Sequence, residues 1–216
     1  MPKFIFRHSL LTILGFLFIL SFSVVFILNF RPLYYHDMKT QNLSERYQMP
    51  EEEIRANYDT LITYNNLFHR EELTFPSMPM SESGKIHFEE VKVIFDAIQL
   101  LLLATTISFW PLAIHTLRRK EVSFLKWIPI LAGIVVTIIL YWAIIDWEGL
   151  FITFHQIVFR NDYWLFDPYT DPIINFLPDI FFFHCLAGII LCMVLLLGGC
   201  LVGYQILKKK YNGGNP

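Results

Sequence analysis

Residues 180–207 read IFFFHCLAGIILCMVLLLGGCLVGYQIL, a stretch without any Asp, Glu, Lys or Arg. A helix needs about 20 apolar residues to cross a hydrocarbon core about 30 Å thick, so this stretch is long enough to span a membrane. Three further stretches without charged residues reach or approach that length, at 9–30, 97–117 and 127–145. Backbone groups in lipid must be hydrogen-bonded within their own segment, which favours helices. The sequence therefore predicts four transmembrane helices.

The composition predicts an all-α integral membrane protein. Hydrophobic residues make up 55% of the chain, and its mean hydropathy is +0.46. The first apolar stretch follows Lys3 and Arg7, as a secretory signal would, but it is too long and lacks a small-residue cleavage motif, so we expect it to remain as an anchor. The sequence contains no Walker, Rossmann or glycine-rich phosphate-binding motif. We therefore expect neither a nucleotide nor a nucleic acid as a ligand.

The basic residues predict the orientation in the membrane. They flank the helices in three places, before the first, between the second and third, and after the fourth: Lys3, Arg7, Arg118, Arg119, Lys120, Lys126, Lys208, Lys209 and Lys210. Flanks rich in Lys and Arg face the cytoplasm. We therefore expect both termini in the cytoplasm and the two long loops on the outer face.

These observations predict boundaries along the whole chain. The expected segments are a cytoplasmic N-terminus at 1–8, a first span at 9–30, an extracellular cap at 31–90, a second span at 91–117, a cytoplasmic loop at 118–126, a third span at 127–146, an extracellular aromatic loop at 147–177, a fourth span at 178–207 and a cytoplasmic tail at 208–216. The cap is too long for a plain connector and too small for a large core of its own, so we expect it to pack on the membrane ends of the helices.

Both outer segments contain helical patterns. In the cap, Pro50 followed by three glutamates marks a helix start. One face of that helix then carries Ile54, Tyr58, Leu61, Asn65 and Phe68, and the segment 71–84, rich in proline and serine, is predicted to be irregular. In the second outer segment, apolar residues recur at helical spacing from Trp147 to Phe159. This predicts a short interfacial or re-entrant helix.

Two histidines fall at the predicted outer boundary of the hydrocarbon. His87 precedes the second span, and His155 lies on the aromatic loop helix. Histidine titrates near neutral pH, so two of them at one membrane surface indicate acid/base chemistry on a lipid-like substrate. We expect structural or surface roles for the other histidines, which are His8, His36, His69, His115 and His184. Asp96 is expected to pair with Lys92, one helical turn away.

Two other classes of function stay open on these residues alone. A metal-dependent membrane hydrolase would use His87, His155 and Glu90 as ligands, although no His-Glu-x-x-His or similarly tight spacing occurs. A non-catalytic scaffold or a small transporter would need neither histidine, but polar residues inside the four predicted spans are scarce.

Several motifs follow one another in a characteristic order along the chain. A basic start and an anchor helix are followed by a cap that ends in His87-Phe88 and runs into the segment 91–95. The second outer segment and the start of the last span then contribute Phe151, Phe154, His155, Gln156, Trp164, Asp167 and Pro178. This order resembles the bacterial lipoprotein intramolecular transacylase family of four-helix membrane proteins, and the resemblance covers most of the chain.

The resemblance implies a reaction and a catalytic pair. In this family, the acyl chain at the second glycerol carbon (sn-2) of a diacylglyceryl-modified lipoprotein moves to the α-amine of its own N-terminal cysteine, which leaves a lyso-form lipoprotein. The two catalytic histidines of the family correspond to His87 and His155. Conversion of an ester to an amide is downhill, so no cofactor and no metal is expected. The expected partners are bacterial lipoproteins and membrane lipids, with the active site at the extracellular face of the bacterial cell membrane.

The reaction also implies an enclosure around the substrate. Attack of the amine closes a ring of about eight members, which loop entropy disfavours, so the enzyme must hold the two ends together. The expected substrate-binding residues are Tyr58, Tyr64, Phe88, Phe151, Phe154 and Trp164, with Glu90 and Asp167 in supporting roles. We expect His87 to act as the base, because the dipole near the start of the second helix disfavours its charged form.

Overall fold

The computed structural model describes residues 2–212, which form helices and connecting loops and contain no β-strand. The eight α-helices are α1 (Pro2–Asn29), α2 (Arg31–Thr40), α3 (Leu43–Tyr47), α4 (Glu51–Tyr64), α5 (Glu82–Arg118), α6 (Phe124–Ile145), α7 (Trp147–Val158) and α8 (Asp179–Asn212). A short 3₁₀ helix at Pro172–Phe176 precedes α8. The predicted all-α fold class is confirmed.

Four of these helices are long and apolar enough to cross a membrane, as predicted: Phe4–Asn29, Glu82–Arg118, Phe124–Ile145 and Asp179–Asn212. The 37 residues of α5 extend about 55 Å at about 1.5 Å per residue, well beyond the ~30 Å of a hydrocarbon core. Its first turns carry six charged residues before residue 97, and its remainder up to Leu117 carries none. His87 therefore lies in the charged part of a helix that is longer than a membrane span.

The chain divides into two compact units, and three of the long helices contribute residues to both. The first unit contains the described residues up to Val24, Gln99–Ile145 and those from Ile189 onward. The most deeply buried apolar side chains of its core are Leu11, Phe124, Ile128 and Ala132. Gly15 lets α1 approach α6 closely, because a Cβ at this position would collide with the side chain of Ile128.

A polar network lies within the first unit. His8, only 6% exposed, places Nε2 3.1 Å from a carboxylate oxygen of Glu121 and Nδ1 2.9 Å from the Ser123 hydroxyl. Arg7 and Arg119 also form ion pairs with Glu121. Burial tends to raise the pKa of Glu121, but the hydrogen bonds from Arg7 and His8 outweigh it and hold that pKa below its ordinary value. We read His8 as a structural residue because both of its ring nitrogens have partners.

The second unit, Val25–Ile98 and Asp146–Gly188, has its own aromatic core. Tyr34 of α2 and Tyr58 of α4 stack with ring centroids 3.7 Å apart, and the Tyr34 hydroxyl donates to the Phe176 carbonyl at 2.9 Å. His184 lies 2.9 Å from both carboxylate oxygens of the buried Asp37. His184 therefore has a structural role, because this contact connects α8 to cap helix α2.

The cap differs from its predicted pattern in two respects. Two of its helices, α2 and α3, were not predicted, because neither presents a continuous apolar stripe in the sequence. The prediction that Phe68 shares the packed face of α4 is wrong, since its side chain is 84% exposed. The reason is that α4 ends at Tyr64, so the helical spacing does not extend to residue 68. The predicted ion pair is present, with Lys92 Nζ 3.2 Å from Asp96 Oδ1.

Candidate active site

The start of α5 carries His87 and is held by polar contacts from two directions. The Ser81 hydroxyl accepts a hydrogen bond from the Gly84 amide at 3.0 Å, as an N-cap side chain does. Asp171, which is 2% exposed, accepts a hydrogen bond from the Ser81 amide at 2.7 Å. Gly84 faces the same carboxylate so closely that a Cβ there would collide with it. These contacts tie the aromatic loop to the turn of helix that precedes His87.

Helix α7 carries His155 and is positioned by a cap at its start and by packing against α8. Asp146 caps its start by accepting a hydrogen bond from the Gly149 amide at 2.8 Å. Trp147 and Phe151 pack against Phe183 and Phe182 of α8, with ring centroids 5.3 and 5.6 Å apart. The predicted helix from Trp147 is therefore present and ends at Val158.

The structure brings the two predicted histidines together. Their ring centroids lie 6.3 Å apart, with an angle of 29° between the ring planes. His87 is 6% exposed and His155 is half-buried. The two rings are therefore close enough to contact one bound substrate.

Aromatic rings surround the pair. His155 contacts Phe151, Phe154 and Trp164, with centroid distances of 4.1, 5.4 and 4.8 Å, and Phe88 lies 5.9 Å from His87. Four of the six predicted substrate-binding aromatics thus lie beside His87 or His155. The other two have different ring partners, since Tyr58 stacks on Tyr34 and Tyr64 contacts His69.

Two aromatic residues that the sequence did not single out complete the enclosure. Phe159 lies 4.7 Å from the ring of His87 and 5.6 Å from that of His155, and Phe166 lies 5.3 Å from His87. Phe159 belongs to the apolar pattern of α7, whereas Phe166 comes from irregular sequence and gave no periodic signal. Its role follows only from the folding of the loop.

One hydrogen bond assigns the proton positions of neutral His155. Its Nδ1 lies 2.7 Å from the Phe151 carbonyl oxygen, which can only accept, so Nδ1 carries the proton and Nε2 carries the lone pair. Burial lowers the pKa of His155, while this hydrogen bond opposes the shift by favouring the imidazolium form. His155 is therefore neutral at pH 7, with one nitrogen ready to accept a proton. Within residues 2–212, Nδ1 of His87 is buried and has no hydrogen-bond partner.

The two predicted supporting residues have different surroundings. Glu90 accepts a hydrogen bond from the Asn161 amide group at 2.8 Å, close to the histidine pair. Asp167 is exposed and accepts the Tyr169 amide at 2.9 Å, which stabilises a turn of the aromatic loop. Asn161 and Asp171 were not predicted. Their partners are 71 and 90 residues away in the sequence, so local patterns carry no signal for them.

This arrangement can transfer protons inside an apolar enclosure. The described part of the chain contains no group of three His, Cys, Asp or Glu side chains placed to bind a metal. It does contain two histidines, a carboxylate and a set of aromatic walls. Histidines in such a setting can accept protons from a reacting group and return them to it.

Sequence and structure comparisons identify related proteins. A family model described as lipoprotein intramolecular transacylase Lit matches residues 9–182. An in meso structure of the membrane integral lipoprotein intramolecular transacylase Lit from Bacillus cereus superposes with a TM-score of 0.91 and 33% sequence identity, over 96% of this chain and 98% of that one. None of the curated proteins matches this chain significantly.

Two variants of the same Bacillus cereus protein are also similar to this chain. In one, a histidine is replaced by arginine, and in the other by alanine. Each superposes with a TM-score of 0.88 and 32% identity over 97% of this chain, and over 94% and 95% of the respective variant.

Proposed function

Because this chain belongs to the lipoprotein intramolecular transacylase family, Lit, we propose that it moves the sn-2 acyl chain of a diacylglyceryl lipoprotein to the α-amine of the lipoprotein's own N-terminal cysteine. It is a membrane-integral acyltransferase. The products are an amide on the cysteine and a free hydroxyl on the glycerol, which together constitute the lyso form. The ester supplies the driving force for the transfer.

The observation that carries this proposal is the histidine pair inside an aromatic enclosure. The rings of His87 and His155 lie 6.3 Å apart, and six aromatic side chains contact one or both of them: Phe88, Phe151, Phe154, Phe159, Trp164 and Phe166. Such an enclosure reduces the entropy that closure of the ring of about eight members costs. The replaced histidine in the Bacillus cereus variants is consistent with a histidine of functional interest in this family.

The neutral state of His155, with its proton on Nδ1, supports a route for the proton during the reaction. The neutral amine attacks the ester carbonyl carbon, which forms the C–N bond and places positive charge on nitrogen. Nε2 of His155 takes a proton from that nitrogen and delivers it to the glycerol oxygen as the C–O bond breaks, so His155 ends unchanged. This assigns the base to His155, whereas the helix dipole alone favoured His87. We propose that His87 donates a hydrogen bond to the tetrahedral oxygen.

Two free-energy costs, deprotonation of the amine and departure of the glycerol alkoxide, indicate which step contributes more to the barrier. An α-amine with a pKa of ~8 is about one tenth neutral at pH 7, so its deprotonation costs only ~1.4 kcal/mol. The leaving glycerol alkoxide is far more basic than histidine, so proton donation to it contributes more to the barrier. A positioned acid or base typically contributes ~10² to 10⁴-fold in rate. His87 and His155 are therefore each expected to matter by orders of magnitude.

We also propose that both termini are cytoplasmic and that the histidine pair faces the outside. The basic flanks before α1, between α5 and α6 and at the end of α8 support this orientation. A cysteine at position 71 should react with an impermeant thiol reagent in whole cells, and one at position 120 should not, in a background without the native cysteines. The reverse labelling would refute an outer site.

The reaction is tested with purified protein and a synthetic diacylglyceryl lipopeptide that has a free α-amine. Mass spectrometry should show an unchanged total mass, with one acyl chain relocated from the glycerol fragment to the cysteine amine. A product lighter by one acyl chain, with free fatty acid released, would instead identify a hydrolase. An unaltered substrate would favour a scaffold or transporter.

A further inference from the structure

Glu90 lies beside the histidine pair, and the proton route does not use it. It follows His87 by three residues on α5, so both side chains lie on one side of the helix. Its Oε1 accepts a hydrogen bond from Asn161. Among the residues that the structure describes, Oε2 has no hydrogen-bond partner although it is buried. A buried carboxylate oxygen without a donor is costly, which indicates that a ligand supplies one.

A cavity of about 250 Å³ adjoins this carboxylate. Its other lining residues are all apolar: Val93, Ile94, Val158 and Phe159. The Phe159 ring also contacts both histidines, so one side chain borders the cavity and the catalytic pair. The volume is below the ~300–1,000 Å³ of a typical ligand pocket, which suits one part of a ligand rather than a whole diacylglyceryl peptide.

The lining of the cavity restricts the chemistry of that part. An acyl chain alone would leave the Glu90 carboxylate buried without a donor, and an anion would be repelled. An amine supplies N–H donors, and its nitrogen becomes positively charged when it is protonated or forms a fourth bond. In the substrate of the proposed reaction, the group of this chemistry that must lie next to the histidines is the α-amine that attacks the ester.

We propose that Glu90 binds the α-amine of the N-terminal cysteine of the substrate, with Asn161 holding the carboxylate in position. This assignment rests on the proposed function. The amine N–H donates to Oε2, while Oε1 keeps the hydrogen bond that it accepts from Asn161. The amine lone pair is then free to point toward the ester carbon.

The attraction between the Glu90 carboxylate and the substrate nitrogen becomes stronger as the reaction proceeds. Attack by the neutral amine converts nitrogen to a cationic centre, and the apolar walls of the cavity strengthen its attraction to Glu90. The interaction is therefore stronger at the tetrahedral stage than in the bound substrate, which accelerates the chemical step. His155 afterwards removes the proton from the same nitrogen.

The test uses two unreactive probes and the full-length protein in detergent. Both probes are cysteine peptides with a dialkylglyceryl group, in which ether linkages replace the esters, and one has a free α-amine while the other is N-acetylated. Calorimetry should show that the wild-type protein binds the free-amine probe about tenfold or more tightly than the acetylated one. In Glu90→Gln the two probes should bind alike.

Matched variants separate this role from a structural one. Glu89→Gln removes the neighbouring exposed carboxylate and should retain the preference for the amine. Glu90→Asp keeps the charge and should retain part of the preference, and Asn161→Ala should weaken it. With the ester substrate, Glu90→Gln should lose about 10- to 100-fold in kcat/KM while its thermal unfolding stays near wild type.

The outcomes distinguish this proposal from the proposed function. If Glu90→Gln retains the amine preference while the wild-type protein relocates the acyl chain, the assignment of Glu90 is wrong and the transacylation stands. If the wild-type protein does not relocate an acyl chain at all, the proposed function fails, whatever the probes show. If the wild-type protein binds both probes equally, Glu90 does not bind the amine.

Discussion

His8 in the first unit and His87 in the second are buried to the same extent, each 6% exposed, yet their surroundings are opposite. Both ring nitrogens of His8 have polar partners, Glu121 and Ser123. His87 is packed against Phe159 and Phe166, and within the described residues its Nδ1 has no partner. Burial therefore does not distinguish a structural histidine from a functional one. The two histidines differ in whether both ring nitrogens have hydrogen-bond partners among the described residues.

The largest expected effect is the loss of either of the two histidines proposed to be catalytic. His87→Ala and His155→Ala should each lower N-acylated product by ~10² to 10⁴-fold, because each removes a positioned proton-transfer or hydrogen-bonding group. His8→Ala should instead keep near wild-type activity per folded molecule and lose ~1–3 kcal/mol of stability, since it leaves buried partners unpaired. Turnover of the lipopeptide and thermal unfolding measure the two effects. A catalytic loss in His8→Ala with normal stability would remove the distinction.

His36→Ala and His69→Ala serve as further controls for these variants. His36 is exposed, and His69 is half-buried with its ring against Tyr64, so we expect neither to take part in the reaction. Their activity should remain close to that of the wild-type protein. All variants should be present in the membrane fraction at similar levels.

A smaller effect is expected from Gly84→Ala, which adds one methyl group near the site. Alanine ordinarily stabilises a helix relative to glycine by about 0.5–1 kcal/mol, but here the Cβ would collide with Asp171 and lie 3.2 Å from the Phe166 ring. Displacement of this contact should move the loop that packs on His87. We expect about a tenfold loss in kcat/KM and a lower Tm.

The matched control is Gly133→Ala in the first unit. A Cβ at position 133 meets nothing within 4 Å, so the ordinary helix preference should hold there. Its activity should be unchanged and its Tm equal or slightly higher. Equal behaviour of the two variants would show that the contact between Gly84 and Asp171 does not position the site.

The acid limb of the pH profile should depend on His155. Burial lowers the pKa of this histidine from its ordinary 6.5, so the base is neutral at pH 7 and becomes protonated only below that value. The substrate amine, with a pKa of ~8, gives log kcat/KM a slope of one below pH 8. The slope should increase to two below the pKa of His155. An increase at or above pH 6.5 would contradict a buried neutral base.

The smallest expected effect is that of metal removal. Nδ1 of His155 is already bonded to the Phe151 carbonyl and Oε1 of Glu90 to Asn161, so two atoms of the hypothetical ligand set are occupied. We therefore expect transacylation to survive strong chelators. Loss of activity with a chelator, restored by zinc, would support the metal-dependent hydrolase instead.

The sequence predicts the membrane helices better than it predicts the site, for a physical reason. Charge-free runs such as 180–207 report their environment directly, because lipid excludes charged side chains. Cap helix α2 has no such run and is stabilised by tertiary contacts, including the stacking of Tyr34 on Tyr58. Its position could not be predicted from local pattern.

Some residues of the candidate site can likewise be identified from local sequence, and others cannot. The sequence marks His87 and His155 as ionisable residues beside predicted spans, and the structure places their rings 6.3 Å apart. Asn161 and Asp171 were not predictable, because each acts through a partner that is distant in sequence. The proposed base assignment also depends on the folded chain, since the hydrogen bond from Nδ1 of His155 to the Phe151 carbonyl requires helix α7 to be formed and this side-chain conformation to be adopted.

The most direct test of the catalytic pair is a double-mutant cycle on His87 and His155. Wild-type protein, both single alanine variants and the double variant are given the same lipopeptide in detergent, and N-acylated product is quantified by mass spectrometry. Residues that act as one unit are non-additive, so the double variant should be little slower than the slower single variant. Rate losses that multiply, or substantial turnover in either single variant, would contradict a joint role for the two histidines.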